Sequence, residues 1–256
     1  MSLPDYTHPP LTEVVFGVAF KNISSFKVPH IGAYWNKIHE EFPNCEQRPP
    51  FASSSNEGND WPVPLPLIWF ISDDYSHLIQ LQNGYFYLNW RRQSEETEYP
   101  RFENLKNKYF DYLSGFVSFL EESDLENIQL TNFELTYINH IHYNHLMKSP
   151  KDIGEIFPDI NWKSENHDIS PDPTPQAKFN FELTDNLGQM QISIKPAQRA
   201  IDGFSLYVME INVKGTVEDN NLEKAKNWFN ESHEWIIKSF ADMTSEQAQR
   251  ELWGRL

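Results

Sequence analysis

The chain has 256 residues, 39% hydrophobic and 14% aromatic, with a formal net charge of −16. That is enough apolar material for a sizeable core, and such acidity disfavours nucleic-acid phosphates and anionic lipid headgroups as partners. A single cysteine, Cys45, excludes an internal disulfide framework, and no long apolar run marks a membrane span.

Met1-Ser2-Leu3-Pro4-Asp5 lacks the charged and apolar regions of a signal peptide, so a cytoplasmic protein is expected. Pro9-Pro10 close a short polar lead. Residues 11–23 alternate, with Val14, Phe16, Val18 and Phe20 on one face, and predict a strand. Pro29 suits the first turn of a helix over about 29–42. Residues 43–66, rich in Pro, Ser and Asn, read as a long irregular loop. Strands are predicted at 67–72, 76–82 and 85–91, the last two joined by the hairpin signal Asn83-Gly84. A helix over 101–122 carries Phe102, Leu105, Tyr109, Leu113, Phe116 and Leu120 at helical spacing. The second half predicts a strand at 127–143, a short helix near 150–157 and a loop at 161–176. Strands at 177–184, 189–196 and 204–214 follow, then helices at 220–240 and 244–253. Thr244-Ser245-Glu246-Gln247 offers a capping-box pattern for the last helix.

The two halves echo each other. Phe42-Pro43 and Phe157-Pro158 lie 115 residues apart, Phe70 and Phe181 lie 111 apart, and Leu105 and Leu222 lie 117 apart. A near-constant offset in the same order predicts a duplicated unit of strand, helix, three strands and helix. The expected fold class is α+β, with antiparallel sheet and long helices packed on one side. Residues 1–126 are expected to form the first repeat and 127–256 the second, packed as one globular unit.

Several strings resemble a family. They are Pro9-Pro10-Leu11-Thr12-Glu13-Val14-Val15-Phe16, Gln80-Leu81-Gln82, Leu88-Asn89-Trp90-Arg91, Tyr137-Ile138-Asn139-His140-Ile141 and the closing Trp253-Gly254. Together they resemble a sporadically distributed family of uncharacterised bacterial proteins of about this length, over nearly the whole chain. His140 stands where that pattern carries Arg. The resemblance implies a bacterial origin and the duplicated architecture, and brings no activity with it.

The candidate recognition residues are Asn89, Trp90, Arg91 and Arg92, an amide, an aromatic ring and guanidinium groups close in sequence. Tyr137 and Asn139 share a face of the equivalent strand, and His140 and His142 share the other, with His145 just beyond. The histidines lack a metal-ligand motif, so no metal site and no cofactor are assigned. Glu13 and Glu134 sit at comparable places in the two first strands without forming a repeat pair. His233 has no acid on its own helical face, and Cys45 has no nearby base. Phosphate-binding, nucleophile-elbow and calcium-loop motifs are absent from the sequence. The expected function is therefore a non-catalytic binding or scaffold protein that recognises a protein partner. The alternatives are a metal-assisted or hydrolytic enzyme near Asn139, His140 and His142, and a small-ligand sensor.

Overall fold

The computed structural model describes residues 3–51, 65–94, 96–160, 174–184, 186–199, 202–216 and 221–256. The strands are β1 (Leu11–Phe20), β2 (Asn44–Arg48), β3 (Leu67–Ile71), β4 (His77–Gln82), β5 (Tyr85–Arg91), β6 (Leu130–His142), β7 (Ala177–Leu183), β8 (Gly188–Gln198) and β9 (Ser205–Thr216). They form one antiparallel sheet in the order β2-β3-β4-β5-β1-β6-β9-β8-β7. The helices are α1 (Val28–Ile38), α2 (Phe102–Glu122), α3 (Leu222–Met243) and α4 (Glu246–Glu251), with a 3-10 helix at Pro150–Glu155. The α+β expectation holds. No helix among the described residues is long and apolar enough to cross a membrane.

Local chemistry explains most of the boundaries. Gly84, at a φ of 97°, makes the β4–β5 turn, a conformation in which a Cβ is strained. Four expectations need correction. Residues 44–48 form β2, a polar strand with no apolar alternation to betray it, defined only by its pairing with β3 (Cys45 opposite Phe70, Gln47 opposite Ile68). The rest of the expected loop, 52–64, and most of the second, 161–173, lie outside the described residues. Helix α1 stops at Ile38, a turn early, and the Trp35 indole N–H then donates to the Phe42 carbonyl at 2.9 Å. The short helix near 150 is 3-10, started by Ser149 and Asp152. Ser245 alone caps α4, accepting from the Ala248 N–H, while the Thr244 hydroxyl donates back to the Phe240 carbonyl.

The chain divides into two compact units. The unit of residues 13–135 and 214–227 builds an aromatic core on one sheet face. Phe16 of β1 stacks against Phe102 and Tyr109 of α2, Phe86 of β5 against Phe116, and Tyr34 of α1 packs against Phe70 of β3 and Phe116. Both helices of this unit thus cover the same face of its strands.

The other unit comprises residues 1–12, 136–213 and 228–256. Its core gathers Ile192, Ile194, Met209 and Ile211 with Phe229 and Ile236 of α3. At its base the buried Gln249 amide is fully satisfied. Its oxygen accepts from the Tyr6 hydroxyl (3.2 Å) and the Arg255 guanidinium (2.7 Å), and its nitrogen donates to the Ala241 (2.7 Å) and Thr244 (2.8 Å) carbonyls. This ties the first residues of the chain to the last.

Candidate functional site

In the unit of residues 13–135 the helices leave the second sheet face to polar chemistry. Residues opposite one another across antiparallel strands share a face. The registers Glu46–Trp69, Trp69–Gln80, Gln80–Tyr87 and Tyr87–Gly17 therefore lay one row across five strands, with Glu13 opposite Arg91 beside it. Gly17 is required here for close approach: a Cβ on it would meet the Tyr87 ring at 2.1 Å.

The row is hydrogen-bonded along its length. Gln80 Nε2 donates to Asn89 Oδ1 at 2.8 Å, and Asn89 Nδ2 donates to Glu13 Oε1 at 2.6 Å. Gln80 and Asn89 are only 9% and 5% exposed, so each bond offsets a desolvation cost. The Tyr87 hydroxyl donates to Glu134 Oε2 at 3.0 Å, and burial first, then that carboxylate, push its pKa far up. Lys214 Nζ stands 3.4 Å from the other oxygen of Glu134.

Two cations flank the Trp69 ring, with the Arg48 Cζ 4.2 Å and the Arg91 Cζ 5.9 Å from its centroid. Arg48 is paired with Glu46 on its own strand. Arg91 differs: its Nε and Nη2, and the Trp69 Nε1, are shielded from solvent and have no hydrogen-bond partner among the described residues. Nε and Nη2 form one edge of the guanidinium, the edge that receives a carboxylate in a side-on, two-bond geometry.

The expected recognition quartet is split by the strand's pleat. Asn89 and Arg91 lie on the polar face, whereas Trp90 is 2% exposed on the helical face, against Tyr99. Sequence proximity suggested a trio that alternation forbids. The aromatic partner of Arg91 is Trp69, 22 positions earlier, which only the register of β3, β4 and β5 brings near. Arg92 is half-buried, and burial lowers its pKa.

The second group separates in the same way. Tyr137 and Asn139 are buried, the Tyr137 hydroxyl 2.9 Å from His233 Nδ1 and Asn139 Nδ2 donating to the Met209 carbonyl at 3.3 Å. His140 and His142 face the other way, their rings 6.3 Å apart in an edge arrangement. Burial first, then His142 and Arg199, lower the pKa of His140. His145 pairs instead with Glu251, at 2.9 Å. Asn139 and the two histidines are therefore not assembled into one centre. Among the described residues no group of three or more His, Cys, Asp or Glu gathers around a common point. Glu13 is engaged with Asn89 and Glu134 with Tyr87.

One constellation escaped the sequence reading. Ser76 Oγ lies 2.7 Å from both His77 Nδ1 and Asp74 Oδ2. The acid here binds the hydroxyl and not the imidazole, and Asp74 also accepts from the Ser72 hydroxyl and the Ser76 N–H. This is a locked β3–β4 turn. A triad needs the acid to orient the base.

No family model matches the chain, and no curated protein or solved structure shows significant similarity to it. The arrangement of side chains therefore has to carry the functional reading.

Proposed function

We propose that the chain is a cytoplasmic, non-catalytic binding protein that recognises a protein partner through the polar face of β3, β4, β5 and β1. Arg91 is the anchor. The observation that carries this reading is the guanidinium edge of Arg91, which has no hydrogen-bond partner among the described residues although its neighbours Gln80, Asn89, Glu13 and Tyr87 are all bonded. A partner carboxylate supplies two charge-assisted bonds to that edge, and the Trp69 N–H supplies a third donor. Because the edge is shielded in the free chain, engagement is coupled to a local opening of the patch.

We further propose that the architecture arose by duplication, within the bacterial family whose strings the chain resembles. The strand order supports this. The first half runs β3-β4-β5-β1 from its outer side inward, and the second runs β7-β8-β9-β6. Among the described residues the halves differ at strand β2, at the 3-10 helix that stands where the first half has α1, and at α4.

The test is affinity capture from the native host with wild type and with Arg91→Ala. The expected result is a protein retained by wild type and lost from the variant. Retention of the same proteins by both would remove Arg91 from the interface.

A further inference from the structure

The two ends of the sheet are treated differently. Strand β3 has its outer edge covered by β2, an antiparallel strand of five residues. Strand β7, the corresponding strand of the second half, ends the sheet, and among the described residues no strand pairs with its outer edge. An uncovered edge presents a row of N–H and C=O groups that template another strand, and proteins usually blunt it with charge, proline or a bulge. β7 reads Ala177-Lys178-Phe179-Asn180-Phe181-Glu182-Leu183, with no proline or glycine. Phe179 and Phe181 stack on one face at 6.4 Å, and Phe181 is 41% exposed. The opposite face carries Lys178, Asn180 and Glu182; among the described residues Gln191 Nε2 of β8 donates to Asn180 at 2.9 Å and Gln189 Nε2 of β8 to Glu182 at 2.8 Å.

We propose that β7 pairs antiparallel with β7 of a second copy of this chain, about a two-fold axis through Asn180. The sequence is self-complementary under that operation. Lys178 falls opposite Glu182 of the second copy, and Phe179 opposite Phe181 of the second copy. The two Asn180 amides face each other, and Ala177 meets Leu183. Opposite charges and aromatic rings directly across an antiparallel pair stabilise it, and the two-fold makes every such pair occur twice. The four Phe rings form one apolar cluster on one face while the charges pair on the other. The opposite end of the sheet lacks this property. The same operation about the centre of β2 sets two Glu46 carboxylates against each other, with no apolar residue in the strand larger than Cys45. The proposal is independent of the Arg91 reading, since it uses none of those residues.

Light scattering coupled to size-exclusion chromatography, on the full chain at about 100 μM, tests it. Wild type is expected at twice the monomer mass. Lys178→Glu places like charges opposite at two symmetric positions and is expected to raise the dimer dissociation constant about tenfold or more. The double variant Lys178→Glu, Glu182→Lys restores opposite charges with their order reversed and is expected to dimerise again. Circular dichroism checks that both variants fold. A monomeric wild type, a Lys178→Glu variant as dimeric as wild type, or a double variant that stays monomeric would each overturn the proposal.

Discussion

Gly17 and Tyr87 show how closely one residue can specify another. The Tyr87 ring fills the space where any other residue at position 17 would place its Cβ, and its hydroxyl is fixed on Glu134. Gly17→Ala therefore has to shift a half-buried ring, and is expected to destabilise the fold by about 1–3 kcal/mol. In a Tyr87→Ala background the penalty should largely vanish, and a double-mutant cycle by urea unfolding measures the difference. Equal penalties in the two backgrounds would show that the ring is not the obstacle. Trp90 is the opposite case, a candidate for recognition that lies in the core. Trp90→Ala is expected to cost about 3–5 kcal/mol, read as a lowered melting temperature. A wild-type melt would place Trp90 outside the core.

Among the elements, the β3–β4 turn couples the fold to pH. Burial above all, with Lys108 adding to it and Asp74 and Glu41 opposing, brings the pKa of His77 down from 6.5 to about 4. The folded state favours the neutral imidazole, so the unfolded chain binds more protons between those values. The stability from His77 is complete above 6.5 and is lost as the pH falls toward about 4. Asp74, lowered from 3.8 to about 2 chiefly by the Ser72 and Ser76 hydroxyls, contributes stability above 3.8 that is lost as the pH falls toward 2. His140 has the same sign as His77, so His77→Gln should flatten part of the upper limb, and Asp74→Asn the lower one. Urea midpoints across the acid range check this. An unchanged upper limb in His77→Gln would mean that this imidazole titrates normally. The elements themselves were largely legible, because β3, β4, β5, α2 and β6 announce themselves by apolar periodicity and the Asn83-Gly84 turn. Strand β2 was not, because Asn44-Cys45-Glu46-Gln47-Arg48 has no periodicity and exists only through a long-range pairing.

Across the whole molecule, strand order follows from pairings that no local pattern encodes. The site was legible only in part. Asn89 and Arg91 could be singled out by type, but Trp69, Gln80 and Glu13 join them through register across β3, β4, β5 and β1. The most direct test of the binding reading replaces Arg91 by Lys, which keeps the charge and removes the planar two-donor edge. Wild type and Arg91→Lys, first matched for melting temperature, are compared in affinity capture from the native host with quantitative mass spectrometry. The account predicts a partner enriched on wild type and reduced at least about tenfold on the variant, the loss expected when a charge-assisted pair is broken. A partner retained equally by both, or none retained by wild type, would contradict it.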